Sequence, residues 1–174
     1  FILVFIHFFT LSKNIHTKII SLGSTTPNML YNKEYYRILT ASFLHSGISH
    51  LSSNCLSLYI FGSRVEKYMG KFNFILIYFL GTVSSSLFSC FFSNSYSIGA
   101  SGAIFALEGA ILYYSLKTKR KIDNLDFYVF ILLAIVGISS GFLSDNIDNA
   151  GHIGGFIAGI ITSCIIYFFQ RKKV

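Results

Sequence analysis

One serine in this sequence stands where a nucleophile is expected. Ser101 lies in the segment Gly99-Ala100-Ser101-Gly102, at the junction between a polar loop and an apolar run. A serine hydroxyl attacks poorly unless a base accepts its proton, and the start of a helix offers backbone N–H groups that stabilise an oxyanion. The segment therefore suits attack on a carbonyl carbon, although four matching residues are a weak signal alone.

A candidate base and two candidate donors occur at similar junctions elsewhere in the chain. His152 follows Gly151 at the start of the last long apolar run, and His50 and Asn54 lie at the start of an earlier one. Ionisable groups are costly inside a membrane and usually mark function. If these runs cross a membrane in parallel, the serine, the histidines and the amide meet at one depth.

Other polar residues in apolar runs receive a purely structural interpretation. Membrane serines such as those at 84–86 usually pack against a neighbouring helix or bond to the carbonyl four residues back. A lone histidine near the end of a helix is usually an interfacial anchor, and we expect this of His7 and His16. Three cysteines lie far apart in apolar runs, which indicates neither a zinc site nor a disulfide framework.

The composition predicts that these residues sit on helices in a bilayer. Of the 174 residues, 53% are apolar and only 12% are charged, about half the usual share for a soluble domain. This excludes a disordered chain, a coiled coil and an ordinary soluble enzyme. The net charge of +7 does not indicate nucleic acid, because the basic residues form short clusters between long uncharged runs.

Uncharged runs long enough for a bilayer define the predicted organisation, one all-α membrane domain over residues 1–174. Residues 1–12 are expected to be the end of a first span that is cut short in this chain, and a signal peptide is the less favoured alternative. Residues 13–46 form a long first loop that lies partly in the interface. Spans two to six are predicted at 47–63, 72–92, 100–117, 126–144 and 149–170.

Six spans distribute the charge unequally between the two sides of the membrane. The loops on the side of Ser101 hold 4 basic residues, and the loops and tail on the opposite side hold the other 10. The positive-inside rule assigns the richer side to the cytoplasm or its equivalent. We therefore expect a multi-pass integral membrane protein whose site opens toward the non-cytoplasmic face.

The order of these motifs resembles the rhomboid family of intramembrane serine proteases. The resemblance runs from about residue 31 to 170 and is carried by a small set of motifs. In chain order they are Tyr36-Arg37, His45-x4-His50-x3-Asn54, Gly62-x3-Glu66, Gly99-Ala-Ser101-Gly102 and Gly151-His152. Tyr36 stands where the family has Trp, a mild departure. The resemblance implies a six-helix bundle with a truncated first helix.

The resemblance also implies a role for each matching residue. Ser101 is expected as the nucleophile and His152 as its general base, in a dyad without a carboxylate. Asn54, His50 and the backbone N–H groups of Ser101 and Ala100 are expected to form the oxyanion hole. Supporting positions are expected at Phe105, where the family places a ring against the histidine, and at Gly99, Gly102, Gly151 and Gly155. Arg37 and Glu66 match positions that hold loops in place.

Close helix packing is required independently of the resemblance, because Ser101 and His152 belong to different spans. Gly102, Ala106, Gly109 and Ala110 give span four a face of small residues. Glycines repeat every four residues on span six, at 151, 155 and 159. Small residues at this spacing allow helix backbones to approach each other closely.

Two acidic residues are left with open interpretations. Asp148 precedes His152 by four residues and is either a third catalytic residue or, as we favour, a cap of span six. Glu108 follows Ser101 by seven residues on about the same side of the helix. It is either a neutral acid bonded to a neighbouring helix or a modulator of the site.

The predicted activity is hydrolysis of peptide bonds in or near transmembrane segments of single-pass membrane proteins. No cofactor, metal or nucleic acid is expected. A catalytically inactive relative is disfavoured because Ser101 and His152 are both present, and a transporter is disfavoured because no internal repeat occurs. Residues 145–149 are expected as a lid, and substrates are expected to enter between spans two and five.

Overall fold

The protein is described by a computed structural model over residues 2–9, 13–143 and 147–171. The helices are α1 (Ile2–Phe9), α2 (Lys13–Gly23), α3 (Arg37–Thr40), α4 (Ile48–Ser57), α5 (Ser63–Met69), α6 (Lys71–Phe92), α7 (Ser101–Thr118), α8 (Phe127–Gly141) and α9 (Asn149–Arg171). No β-strand occurs in the described ranges, which confirms the all-α prediction. The predictions that fall on residues 1, 10–12, 144–146 and 172–174 lie outside the described residues.

Helix α7 forms the centre of the bundle. Every residue from Gly102 to Ile111 except Phe105 is buried. The helix packs most extensively against α9 and α6, and it also contacts α5, α8 and the π-helical turn Leu58–Gly62. Glycine and alanine make up half of the buried stretch, so neighbouring helices can surround it closely.

The backbones of α7 and α9 are in direct contact. A Cβ atom added at Gly155 would overlap the carbonyl oxygen of Gly102, and one at Gly159 would overlap that of Ala106. From the other side, a Cβ at Gly109 would meet the carbonyl oxygen of Phe156. The glycine repeat of the sequence therefore lies at this helix–helix interface.

The outer surface of the bundle is strongly apolar. Exposed side chains on the outward faces of three helices include Phe72, Ile75 and Phe79 of α6, Leu132, Ile135 and Val136 of α8, and Ile161, Ile165 and Phe168 of α9. Water solvates such a surface poorly, whereas lipid chains solvate it well. By length and hydropathy, Lys71–Phe92 and Asn149–Gln170 are long enough to span a membrane, and Phe127–Gly141 is a shorter apolar helix.

The helix of predicted span two is longer than the sequence indicated. α4 continues through the π-helical turn Leu58–Gly62 into α5, which ends at Met69 rather than at residue 63. Gly70 adopts φ +92° and separates this long helix from α6. Residues 64–69, which were predicted as a charged loop, therefore form the last turns of a helix.

The first loop is tied to the bundle by a buried arginine and a short backbone pairing. The guanidinium of Arg37 donates to the carbonyl oxygens of Ser21 and Ser24 at 2.9 Å each and pairs with the Glu34 carboxylate at 2.9 Å. Thr25 exchanges backbone hydrogen bonds with Ser97, at 2.9 and 3.3 Å. These contacts fix the first loop beside the segment that leads into α7.

Candidate active site

Ser101 and His152 form a hydrogen-bonded pair between α7 and α9. Ser101 is the first residue of α7, His152 lies in the first turn of α9, and Ser101 Oγ lies 2.8 Å from His152 Nε2. The Phe105 ring stacks on the His152 imidazole, with 4.4 Å between ring centroids. The imidazole is thus held in the orientation that a base for this hydroxyl requires.

Two polar side chains of α4, those of His50 and Asn54, lie close to Gly99, two residues before Ser101. A Cβ added at Gly99, which has φ +118°, would lie 2.7 Å from His50 Nε2 and 3.3 Å from Asn54 Nδ2. A glycine is needed here both for the left-handed backbone and for this close approach. Asn54 is 6% exposed, and its Nδ2 has no hydrogen-bond partner among the described residues. A buried donor in this state favours an incoming acceptor.

The start of α7 adds backbone donors to this group. Ala100 is the residue before the helix, and its carbonyl already accepts the N–H of Ile104 at 3.1 Å. The first N–H groups of a helix, here beginning at Ser101, have no partner inside the helix and carry the positive end of the helix dipole. They lie beside the hydroxyl and can accommodate a negative oxygen.

The ring of His50 is oriented by its neighbours Ser46 and His45. Ser46 Oγ lies 3.2 Å from His50 Nδ1, and the centroids of the His45 and His50 rings are 5.0 Å apart. When the Ser46 hydroxyl donates to Nδ1, the proton of a neutral His50 is on Nε2, which faces Gly99. Burial, helped by His50 and His7, lowers the pKa of His45 to about 4, so this ring is uncharged at neutral pH.

His7 and His16, which were predicted as interfacial anchors, lie close to each other in the structure. His7 is buried rather than interfacial, and its ring lies 5.7 Å from that of His16. His16 Nε2 donates to the carbonyl oxygen of His45 at 3.0 Å. The expectation of an interfacial anchor is therefore wrong for His7, because α1 packs against α4 and the segment before it. For His16, which is half-buried, the interfacial position stays a prediction. No periodicity in the sequence brings these residues together.

Asp148 caps α9, and no hydrogen bond joins its carboxylate to the imidazole of His152 among the described residues. Its Oδ1 accepts the backbone N–H of Gly151 at 3.0 Å, and its carbonyl accepts the N–H of His152 at 3.1 Å. His152 Nδ1 is buried and has no hydrogen-bond partner among the described residues. The geometry is that of an N-cap rather than of a Ser-His-Asp triad.

Glu108 lies inside the bundle on α7, seven residues after Ser101. It is 3% exposed, and its Oε1 has no hydrogen-bond partner within the described part of the chain. Nothing in the contacts of Glu108 explains why the chain carries an acid at this position.

Of the two predicted loop-holding residues, Arg37 is buried, whereas Glu66 is exposed on α5.

A cavity of about 680 Å³ opens over the pair between α4 and α8. Its walls carry many hydroxyl groups and few charges. The lining residues include His50, Ser53, Asn54 and Ser57 of α4, Gly137 and Ser140 of α8, and Tyr96, Ser101, Phe105, Ile147, Asp148 and His152. Within the described residues, no group of three or more His, Cys, Asp or Glu side chains is arranged to hold a metal ion.

Comparison with known proteins identifies the family to which the chain is similar. A family model described as "Rhomboid domain" matches residues 32–169. The chain is 37% identical over 155 residues to rhomboid protease GluP of Bacillus subtilis (strain 168), covering 89% of this chain and 30% of that protein. It is 33% identical over 140 residues to RHOMBOID-like protein 7 of Arabidopsis thaliana, covering 79% and 45%.

A further relative is rhomboid protease AarA of Providencia stuartii, 28% identical over 188 residues, covering 91% of this chain and 65% of that protein. The chain thus spans only part of the length of these relatives. The family match covers most of the sequence, including the first residue of α7 and the first turn of α9. On this evidence, the chain belongs to the rhomboid family.

Proposed function

We propose that this protein is an intramembrane serine endopeptidase that hydrolyses peptide bonds in or near transmembrane segments of membrane proteins. The observation that carries the proposal is the 2.8 Å contact between Ser101 Oγ and His152 Nε2. It lies within the reach that proton transfer to a general base requires. The Asn54 side chain in the same cavity supports the assignment, because its Nδ2 donor has no hydrogen-bond partner in the described part of the chain.

In the first half of the reaction, Ser101 Oγ attacks the carbonyl carbon of the scissile bond while His152 Nε2 takes the hydroxyl proton. The resulting imidazolium faces the Phe105 ring at a centroid distance of 4.4 Å, where the π-electrons favour a cation. As the C–N bond breaks, His152 returns the proton to the leaving amine. An acyl group is then bonded to Ser101 Oγ.

The negative oxygen that forms during attack needs donors aimed at its position. Asn54 Nδ2, His50 Nε2 and the backbone N–H groups of Ser101 and Ala100 supply them in this proposal. Preorganised donors in a site with little water are usually the largest single contribution to such catalysis. They need no reorganisation as the charge develops, since Gly99 already allows α4 to approach α7 this closely.

Water completes the reaction. A water molecule that enters the cavity from the aqueous side loses its proton to His152 Nε2 and attacks the acyl carbon. The ester bond to Ser101 breaks, and the proton passes from His152 to Ser101 Oγ. The hydroxyl groups of Ser53, Ser57 and Ser140 make the cavity wall polar enough for water to reach this point.

The experiment that tests the proposal measures cleavage of a single-pass reporter by the purified protein in liposomes. Ser101→Ala and His152→Ala are each expected to lose nearly all activity, and the double variant is expected to be little worse than either. Ser63→Ala is the matched control, because it removes a hydroxyl that lies outside the cavity and donates to the carbonyl oxygen of Tyr59, four residues before it. A fluorophosphonate probe is expected to label the protein at Ser101 alone.

Full reporter cleavage by Ser101→Ala would overturn the proposal, as would additive losses in the double variant. If the unsubstituted protein binds the reporter without cutting it and the probe does not label it, the chain is a binding protein for membrane clients.

We also propose that the chain crosses the membrane several times, with the cavity open toward the non-cytoplasmic face. The support is the division of the basic residues, 10 against 4, between the two ends of the predicted spans. In a variant without Cys55, Cys90 and Cys164, Lys119→Cys is expected to react only with a reagent on the cytoplasmic side. Tyr96→Cys is expected to react only from the other side, and labelling of both from one side would contradict this topology.

Substrates are proposed to enter the cavity sideways between α4 and α8, beneath the segment that contains Ile147. The cleaved segment must unwind, because a helix hides its carbonyl groups, so substrates are expected to carry small, helix-weakening residues near the cavity. A reagent that links Gly47→Cys to Ile147→Cys is expected to stop reporter cleavage reversibly, while fluorophosphonate labelling of Ser101 continues. Full cleavage in the linked form would exclude this route.

A further inference from the structure

The loop that joins α7 to α8 presents a cluster of cations at the end of the bundle opposite Ser101. Four of the five residues from Lys117 to Lys121 are basic, and all four of these side chains are exposed. We call residues 117–126 the basic loop. A charge run of this kind is usually a solvated surface, so its conformation and its pairing decide whether it has a further role.

The basic loop is held in one conformation by its own backbone and by the core. Ile122 is fully buried, and it exchanges two 2.9 Å backbone hydrogen bonds with Leu125. Asp123 and Asn124 between them have positive φ angles of 49° and 66°, as in a type I′ turn, which favours Asn and Asp at these positions. Ser115 Oγ also donates to the carbonyl oxygen of Arg120 at 3.0 Å.

The carboxylates of the basic loop are already paired. Asp123 accepts hydrogen bonds from Lys67 at 2.6 Å and Tyr68 at 2.9 Å, and it pairs with Arg64 at 3.2 Å. These partners hold the pKa of the Asp123 carboxyl below its usual value, so it is ionised at neutral pH. Asp126 pairs with Lys121 at 3.2 Å.

Three cations of the basic loop have no carboxylate partner among the described residues. They are Lys117, Lys119 and Arg120, of which Lys117 lies over the ring of Tyr113 at 5.7 Å. Lys119 has a left-handed backbone, φ +53°, where it ends α7, so the chain turns away from the helix axis at this residue. All three side chains are exposed at this end of the bundle.

Exposed apolar side chains flank the basic loop on both sides in the chain. Leu116 precedes the basic loop and is exposed, and Tyr128 and Leu132 of α8 are exposed just beyond it. An exposed apolar band next to exposed Lys and Arg, with tyrosine at the boundary, is the pattern found where hydrocarbon gives way to lipid headgroups.

We propose that the basic loop binds the phosphate groups of anionic phospholipids in the membrane that holds the bundle. The inference rests on the proposed placement of the bundle in a bilayer. Basic clusters next to a membrane segment attract anionic lipids, and the guanidinium of Arg120 matches phosphate geometry. Lipid fits better than nucleic acid, because three unpaired cations beside an apolar band neutralise few phosphates of an extended polyanion.

The chain contains no Trp, so one substitution creates a unique fluorescent reporter at this surface. Tyr128→Trp places it on an exposed position of α8, next to the basic loop. The reporter protein is reconstituted into nanodiscs that contain either brominated phosphatidylglycerol or brominated phosphatidylcholine at the same mole fraction. Bromine quenches the fluorescence of an indole that it contacts, so the ratio of the two signals measures which headgroup gathers at the basic loop.

Brominated phosphatidylglycerol is expected to quench more strongly, corresponding to about five-fold local enrichment for each effective cation. The double variant Lys119→Gln/Arg120→Gln is expected to remove most of the preference. The matched control, Lys18→Gln/Lys33→Gln, neutralises two exposed lysines of the first loop and is expected to leave it unchanged. Salt at about 0.5 M is expected to weaken the preference by screening.

Equal quenching by the two lipids would overturn the inference and leave the bilayer placement intact. No quenching by either lipid would contradict the bilayer placement itself, and with it this inference. Inorganic phosphate and a short single-stranded oligonucleotide are added to separate samples as competitors. Loss of the phosphatidylglycerol preference at micromolar oligonucleotide would replace lipid by nucleic acid as the ligand, and persistence of the preference in both samples would support lipid.

Discussion

Adding one methyl group at Gly155 is expected to separate the nucleophile from its base. A Cβ at Gly155 would overlap the carbonyl oxygen of Gly102 and lie 2.8 Å from its carbonyl carbon, against an ordinary contact of 3.4–4 Å. Backbone atoms cannot rotate away as a side chain can, so α7 and α9 must separate by roughly 1 Å to relieve the overlap with the carbonyl oxygen. Gly102 follows Ser101 directly, so the displacement falls at the reacting groups.

The magnitude follows from the geometry of the hydrogen bond. Ser101 Oγ and His152 Nε2 are 2.8 Å apart, and a separation of about 1 Å takes them to roughly 3.8 Å, beyond the range of a good hydrogen bond. A misplacement of about 1 Å can cost roughly 100-fold in rate, so we expect kcat of Gly155→Ala to fall by about 10- to 100-fold. Overpacking is expected to lower the free energy of unfolding by about 1–3 kcal/mol.

Reporter cleavage in liposomes, the rate of fluorophosphonate labelling and the thermal unfolding midpoint together test this prediction. KM is expected to change little, because the cavity walls on α4 and α8 are untouched. Gly47→Ala is the neutral control: its Cβ has no atom within 4 Å, and its φ of 179° suits any residue. Gly109→Ala is the packing control, because its Cβ would meet the Phe156 carbonyl two turns away from Ser101.

Gly109→Ala is expected to lower stability as much as Gly155→Ala while keeping more activity per folded molecule. Unchanged kcat in Gly155→Ala would refute the claim that close backbone contact holds Ser101 and His152 in register. Equal kcat losses in both glycine variants would show instead that activity simply follows the stability of the bundle.

Three further outcomes are expected from other parts of the structure. Asn54→Ala is expected to lower kcat by about 10²–10³-fold without destroying turnover, because one oxyanion donor is lost while others remain. An unchanged cleavage rate in the reporter assay would show that Asn54 is not part of the site. Arg37→Gln is expected to cost about 2–4 kcal/mol in the free energy of unfolding, since the carbonyl groups of Ser21 and of buried Ser24 lose a charged donor that is itself buried. The control Glu34→Gln is expected to cost less than about 1 kcal/mol, and equal losses would contradict this. The pKa of His45 is about 4 in the folded state and 6.5 in the unfolded state, so folding disfavours the protonated imidazole. The contribution of His45 to the free energy of unfolding is therefore complete above about pH 7.5, falls as the pH drops through 6.5 and levels off near pH 4. The total loss is up to about 3 kcal/mol. Unfolding midpoints measured across this pH range test the prediction for His45. The dependence of the midpoint on pH is expected to be weaker in His45→Gln.

Much of this protein could be predicted from its sequence because the relevant signals are local. A bilayer demands long uncharged helices, so composition and charge spacing alone indicated the helices that became α6, α7, α8 and α9. Gly99 and Gly151 mark where these helices begin beside Ser101 and His152. Small residues at four-residue spacing on α7 and α9 indicated which faces touch.

What only the tertiary structure decided concerns residues far apart in the chain. Ser101 and His152 are separated by 51 positions, and their 2.8 Å contact depends on backbone contact between two helices. The buried position of His7 beside His16 has no local signal, because packing of α1 and α2 decides it. The continuation of α4 and α5 to Met69 also escaped the charge pattern, because helical hydrogen bonds tolerate charged residues whose side chains reach water. A sequence records which surfaces suit lipid or water, but it does not record the distances at which those surfaces meet.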